Sequence, residues 1–244
     1  MDNPFFRDNF TFRNYGSEHL FTVIASVLIS IAIIYFAKKK LSPKHQKLFG
    51  FYLALIVLFS QLAKVVIKIQ LGVFDARTDL PLHLCNMMPF FVPIAMLMGK
   101  RIIWAVLFFW IMAGTFQSLF TPTLKQSFPH YEYWRYWIVH CGLVMLMLYG
   151  AIVLGFRLKW KDAILSAILL NVLALIIYFV DLALDANYLY LRAKPPGKTM
   201  YDLLGDWPTY ILHLEGIVVI FFTIIYLPFH FINKREARMV SLSD

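Results

Sequence analysis

The chain has 244 residues, of which 60% are hydrophobic and only 15% charged. Soluble domains carry about 25% charged residues, so this chain has too little charge to cover a water-facing surface, and a soluble globular domain is excluded. The aromatic share of 17% suits an exterior in contact with lipid and interfacial belts of amphipathic rings. The net charge of +9 does not point to nucleic acid, because the basic residues sit in short connections between apolar runs, where they report orientation.

The segment before residue 20 carries Asp2, Arg7, Asp8, Arg13 and Glu18 and has no small-residue cleavage site after it, so it reads as part of the mature chain and not as a signal peptide. Seven apolar runs follow, at 18–37, 48–70, 82–99, 101–120, 136–156, 162–184 and 208–231. Each is continuous, not alternating, and has the roughly 17–25 residues that a membrane helix needs. A β-barrel would show alternation instead. The predicted fold is an all-α polytopic membrane protein, a single domain over 1–244 with seven transmembrane helices.

The connections sort by charge. Lys38, Lys39, Lys40, Lys44 and Lys47 lie between runs 1 and 2, Lys100 and Arg101 between runs 3 and 4, and Arg157, Lys159 and Lys161 between runs 5 and 6. Lys234, Arg235 and Arg238 follow run 7. The opposite side holds fewer: Arg7, Arg13, Arg77, Lys125, Arg135, Arg192, Lys194 and Lys198. The richer side is expected to be cytoplasmic, which places the N-terminus outside, the C-terminus inside and the protein in a cytoplasmic (plasma) membrane. The longest connection, 185–207, contains Lys194-Pro195-Pro196-Gly197-Lys198 and Gly205-Asp206-Trp207-Pro208. A connection of that length is expected to be ordered, as a cap on the outer mouth or as a plain external loop.

Ionisable groups within a bilayer are costly and tend to face the protein interior. His19, His83, Cys85, His140 and His213 fall in the outer third of their runs, as do Lys64 and Gln117, whereas the inner half is almost wholly apolar apart from Asn171. This depth pattern predicts a polar pocket open toward the outer leaflet; separately satisfied interfacial residues are the plainer explanation. Gln61, Lys64 and Lys68 share a helix face by their spacing. Lys64 is the deeper lysine, suited to a carboxylate or a lipid phosphate. Pro89 and Pro93 predict a kink below Cys85. Cys85 and His140 are candidates for a nucleophile and its base; Cys141, turned about 100° from His140, reads as packing. The two cysteines do not suggest a disulfide framework. The same histidines, His19, His83, His140 and His213, are also candidate zinc or haem ligands, although no HExxH, HxH or CxxCH spacing occurs.

Four stretches carry a resemblance: Tyr15-Gly16-Ser17-Glu18-His19, Leu80-Pro81-Leu82-His83-Leu84-Cys85, His140, and Asn187 to Pro196 followed by Gly205-Asp206-Trp207-Pro208. With these the chain resembles the YwaF family of bacterial integral membrane proteins and its eukaryotic relative, transmembrane protein 164. The resemblance implies a seven-helix bundle and an acyltransferase that moves a fatty acyl chain between phospholipids through a cysteine–histidine pair. A more distant related group cleaves fatty-acid esters with threonine and histidine. His140 matches the family histidine. The family cysteine directly precedes the helix 3 histidine; Leu82 stands there in this chain, and Cys85 lies about one turn deeper.

The function expected on this basis is a membrane-embedded lipid acyltransferase or fatty-acyl ester hydrolase. Cys85 and His140 are its catalytic pair, and His19, Lys64, His83, Asn86, Gln117 and His213 its substrate-binding residues. His83, Asn86 or Gln117 would donate to the oxyanion. The expected ligand is a phospholipid or fatty-acyl substrate in the bilayer, with no cofactor, no metal and no nucleic acid. The alternatives are a non-catalytic lipid or small-molecule binding or transport protein using the same pocket, and a metal- or haem-binding membrane protein.

Overall fold

A computed structural model describes residues 5, 6, 11–196 and 200–241. Asp2, Arg7, Asp8, Gly197 and Lys198, which entered the reading of the N-terminal segment, of orientation and of the long connection, lie outside the described residues.

Among the described residues the chain is all helix, turn and coil apart from one isolated bridge between Thr11 and Gln126. The long helices are α1 (Ser17–Lys40), α2 (Pro43–Gln70), α3 (Leu84–Met98), α4 (Arg101–Trp110), α5 (Tyr131–Ile152), α6 (Trp160–Leu184) and α7 (Thr209–Ser241). α4 runs on through a π-helical turn, Ile111–Thr115, and a 3-10 turn, Phe116–Leu119. With that extension, six helices are long and apolar enough to cross a membrane. In lipid only intra-helical hydrogen bonds satisfy the backbone of such runs. The protein is therefore an all-α membrane protein.

The helices extend beyond the hydropathy runs wherever a capping residue lies outside the apolar stretch. Pro43, whose missing N–H costs nothing in the first turn, starts α2 five residues before the run expected from 48. His130 starts α5 by accepting the backbone N–H of Glu132 on Nδ1 at 3.2 Å, so the helix begins at 131 rather than 136. Asp162 accepts the backbone N–H of Lys159 at 2.7 Å and caps α6. Lys38, Lys39 and Lys40 fill the last turn of α1, where cations complement the helix dipole. α3 differs in the other direction. It has 15 residues, about 22 Å of helix against a hydrocarbon core of about 30 Å, because residues 79–83 form turns instead of helix.

The chain packs as two compact units. The first comprises the described residues up to Phe74 together with Leu84–Phe156, and so holds α1 to α5. Its centre is α5, which packs against α1, α2, α3 and α4, while α2 and α3 share the most extensive contact. Small residues allow the closest approaches. A Cβ on Gly142 would stand 2.6 Å from Val57 of α2, and one on Gly150 would overlap the buried indole of Trp104. Membrane helices use small residues at their interfaces in this way.

The second unit comprises Asp75–His83 and the chain from Arg157 onward. It holds α6, α7 and the long connection, which is ordered over its described part. Its two 3-10 turns are Tyr188–Tyr190 and Met200–Leu204. Asp181, fully buried at the end of α6, accepts the backbone N–H of Tyr188 at 2.8 Å. The Tyr188 hydroxyl donates to the Ala76 carbonyl at 2.7 Å and accepts from the Leu80 amide at 3.0 Å. Asn187 accepts the amides of Arg192 and Ala193. Trp207 donates to the Leu191 carbonyl at 3.0 Å, and Lys194 pairs with Asp206 at 3.1 Å.

Candidate functional site: a polar cluster at one end of the first unit

The last third of α2, the first turn of α3 and the first turns of α5 lie at the same end of the first unit. Gln61 and Lys64 come from α2, Cys85 and Asn86 from α3, and Glu132, Arg135, Tyr136 and His140 from α5. Arg135 organises them. Its Nε donates to the Glu132 carboxylate at 2.8 Å, and its Nη1 lies 3.4 Å from both the Gln61 and the Asn86 side-chain oxygens. Lys64 stands 3.9 Å from the other oxygen of Glu132, with both side chains only 12–13% exposed. Glu132 thus stands between two cations.

Cys85 lies within electrostatic reach of Arg135, Lys64 and Tyr136. Tyr136, 3% exposed, donates its hydroxyl to the Ser118 carbonyl at 2.9 Å. One turn deeper, the His140 ring stacks on that of Tyr136 at 4.0 Å. His140 Nδ1 is 2.8 Å from the Tyr136 carbonyl. A carbonyl only accepts, so Nδ1 carries the proton and Nε2 carries the lone pair. This is the tautomer a general base requires.

The remaining candidates are distributed differently. His19 uses both ring nitrogens: Nε2 donates to the Leu119 carbonyl at 2.8 Å and Nδ1 accepts the Tyr15 amide at 3.0 Å. Beside it, Glu18 accepts the Phe128 amide at 2.8 Å and the Ser127 hydroxyl. This stretch ties the start of α1 to the connection that follows α4. Gln117 is exposed, and its backbone carbonyl caps the turn at Phe120 and Thr121. His83 and His213 belong to the second unit. His83 accepts the Leu189 amide at 3.3 Å and lies against Tyr188 and Tyr190. His213 donates to the Leu204 carbonyl at 2.8 Å. Among the described residues no group of three or more His, Cys, Asp or Glu is placed to hold a metal ion.

Arg135, Glu132 and Tyr136 are the site residues that sequence reasoning missed. Arg135 was counted in a connection because the fifth apolar run begins after it. The signal that would have found the pair is the i, i+3 spacing of Glu132 and Arg135 directly after a His130 cap. The first unit also contains an apolar groove of about 440 Å³ between α1 and α5. Cys141 lines it with Val144 and Leu148, and Lys38 and Lys39 stand at one end. None of the expected site residues lines it. The prolines expected to open space below Cys85 are buried within an uninterrupted α3.

Comparison with curated proteins gives no significant match, and neither does comparison with solved structures. A family model does match, that of the TMEM164 family, over residues 14–226. This range takes in α1 to α6, both units' polar clusters and most of α7, and the chain belongs to the TMEM164 family.

Proposed function

We propose that the protein is a membrane lipid acyltransferase, or an ester hydrolase where water is the acceptor, with Cys85 as nucleophile and His140 as base. The observation that carries this reading is the His140–Tyr136 hydrogen bond, which leaves a lone pair on Nε2 of a buried imidazole. Family membership supports a membrane protein of the TMEM164 family.

In the first step the Cys85 thiol proton passes to His140 Nε2, and the sulfur attacks a lipid ester carbonyl. The S–C bond forms, the ester C–O bond breaks, and the departing lyso-lipid alkoxide takes the proton back from His140. In the second step His140 accepts a proton from an acceptor hydroxyl or water, whose oxygen takes the acyl group and releases the thiol. Arg135 and Lys64 place positive charge near the sulfur, where negative charge develops. The membrane supplies both lipids, and the apolar body of the first unit shields the thioester from water.

The test is intact mass spectrometry of the purified protein after incubation with mixed phospholipids, beside Cys85→Ala. The expected result is a fatty-acyl mass increment that neutral hydroxylamine removes and that Cys85→Ala lacks. An increment that survives in Cys85→Ala, or lipid turnover that is unchanged in that variant, overturns Cys85 as nucleophile. The α1–α5 groove favours a second reading, a non-catalytic lipid-binding protein, because an acyl chain can occupy it without reaching Cys85. That reading predicts bound lipid with no covalent adduct and no turnover.

A further inference from the structure

We propose that Arg135, Gln61 and Asn86 form an anion-binding site whose ligand is a phosphate group, presented by a phospholipid headgroup or as the free ion. The argument rests on the unused donors of the cluster. Arg135 Nε is committed to Glu132, and Nη1 reaches two amide oxygens only at 3.4 Å, beyond the usual N–H···O range of 2.7–3.2 Å. Nη2 donates to none of the described residues. Gln61 turns its oxygen toward Arg135, and its Nε2, in a residue with no exposed surface, has no acceptor. Asn86 also turns its oxygen to the guanidinium, and its Nδ2 makes no hydrogen bond to a described residue.

A buried donor without an acceptor is costly, so an acceptor belongs here. Its charge follows from the surroundings: the groups left over are all N–H donors, one of them on a guanidinium. The N-termini of α3 and α5, which pack together at this end, add positive partial charge. The geometry also selects. Side chains from α2 and α3 meet the α5 guanidinium at Nη1, and the several oxygens of a phosphate can accept from more than one of their N–H groups. A planar carboxylate would satisfy only one edge of the arginine. Glu132 takes the edge that Nε shares with Nη2, so the phosphate meets the guanidinium at its Nη1–Nη2 end. The site lies in the first turn of α3 and the second of α5. It stands independently of the acyl step: a lipid held here need not be a lipid that reacts.

The test is calorimetric titration of the full-length protein in neutral detergent with short-chain phosphatidic acid, with diacylglycerol of the same chains and with inorganic phosphate. Phosphatidic acid should bind with one equivalent per chain, at least about ten-fold more tightly than diacylglycerol. Gln61→Glu is the decisive variant. It is nearly isosteric and supplies Arg135 with a carboxylate in place, so its melting temperature should be unchanged or raised while phosphatidic acid affinity falls at least about ten-fold. Arg135→Lys keeps the charge but loses the fork, and should weaken phosphatidic acid while leaving diacylglycerol unaffected. Displacement of the lipid by millimolar inorganic phosphate identifies the bare ion as a sufficient ligand; lack of displacement identifies the headgroup. Equal affinities for phosphatidic acid and diacylglycerol in the natural sequence, or undiminished phosphatidic acid binding by a folded Gln61→Glu protein, overturns the proposal. Neither outcome depends on whether a thioester forms at Cys85.

Discussion

The Nδ1–H of His140 is committed to the backbone carbonyl of Tyr136, 2.8 Å away and one helical turn back, with the two rings stacked at 4.0 Å. Two constraints thus fix the imidazole, and both come from the same turn of α5. His140→Gln should therefore leave the melting temperature near that of the natural sequence while lowering acyl transfer by about 10²–10⁴-fold, the usual contribution of a general base. Turnover of a fluorescent phospholipid, followed beside a melting curve, checks both halves; activity retained within a few-fold would remove His140 from the mechanism.

Glu132 lies between Arg135 and Lys64, with an ion-pair contact to each. Removing it takes the shared carboxylate from two largely buried cations, and breaking a buried pair in this way costs about 3–5 kcal/mol. Glu132→Ala should destabilise the first unit by that order, and Glu132→Gln by less, because the amide oxygen still accepts from Arg135. Thermal unfolding of both variants in one detergent gives the ranking; equal stability of Glu132→Ala and the natural sequence would mean that water, not Glu132, balances the cations.

The α5 interfaces depend on Gly142 and Gly150. Alanine at 150 must displace the Trp104 indole, and alanine at 142 must displace only the Val57 methyl group. Overpacking of a tight core costs about 1–3 kcal/mol, so both substitutions should lower the melting temperature, Gly150→Ala by the larger amount. The reverse order would place the tighter interface between α2 and α5.

In the connection between α6 and α7, burial pushes the Tyr188 and Tyr201 phenols up to about 12. A free phenol ionises near 10. The folded connection holds both protonated, so their contribution is fully present below about pH 10 and is lost as pH rises through about 12. Near-ultraviolet circular dichroism should show an alkaline transition of the second unit in that window. Tyr188→Phe should make the transition less steep and also weaken the unit at neutral pH, because the bonds to Ala76 and Leu80 are gone. A transition unaltered in Tyr188→Phe would assign the alkaline sensitivity to other groups.

Orientation is open to a direct measurement. Alkaline phosphatase fused after Asp79 should be active and the same enzyme fused after Lys44 inactive, as the distribution of lysine and arginine predicts. The opposite pair of activities would reverse the expected orientation.

The apolar runs were legible because continuous hydrophobicity over membrane length has few physical solutions. The helix ends were less so. α5 begins five residues before its apolar run because a cap at His130 carries the helix through Glu132 and Arg135, and a hydropathy window cannot see a helical turn made of charged residues. For that reason the organising arginine of the polar cluster was counted as part of a connection. The histidines were visible by depth, but depth does not assign partners. His19 binds Leu119, a hundred residues away, and His83 sits with Tyr188 and Tyr190 in the second unit.

The sequence by itself determined that this is an all-α membrane protein, because so little charge cannot solvate a soluble surface and a lipid-embedded backbone must satisfy its own hydrogen bonds. It also marked the stretches that carry the resemblance, and the structure gives two of them mechanical work: Glu18 and His19 hold the connection after α4, and Asn187 to Arg192 hold the one after α6. Only the tertiary structure decided which polar residues meet. Contacts between helices far apart in the chain depend on rotation about each helix axis and on register, and neither is encoded in hydropathy. The approach of Arg135 on α5 to Gln61 on α2 and Asn86 on α3 is set by the packing of these three helices.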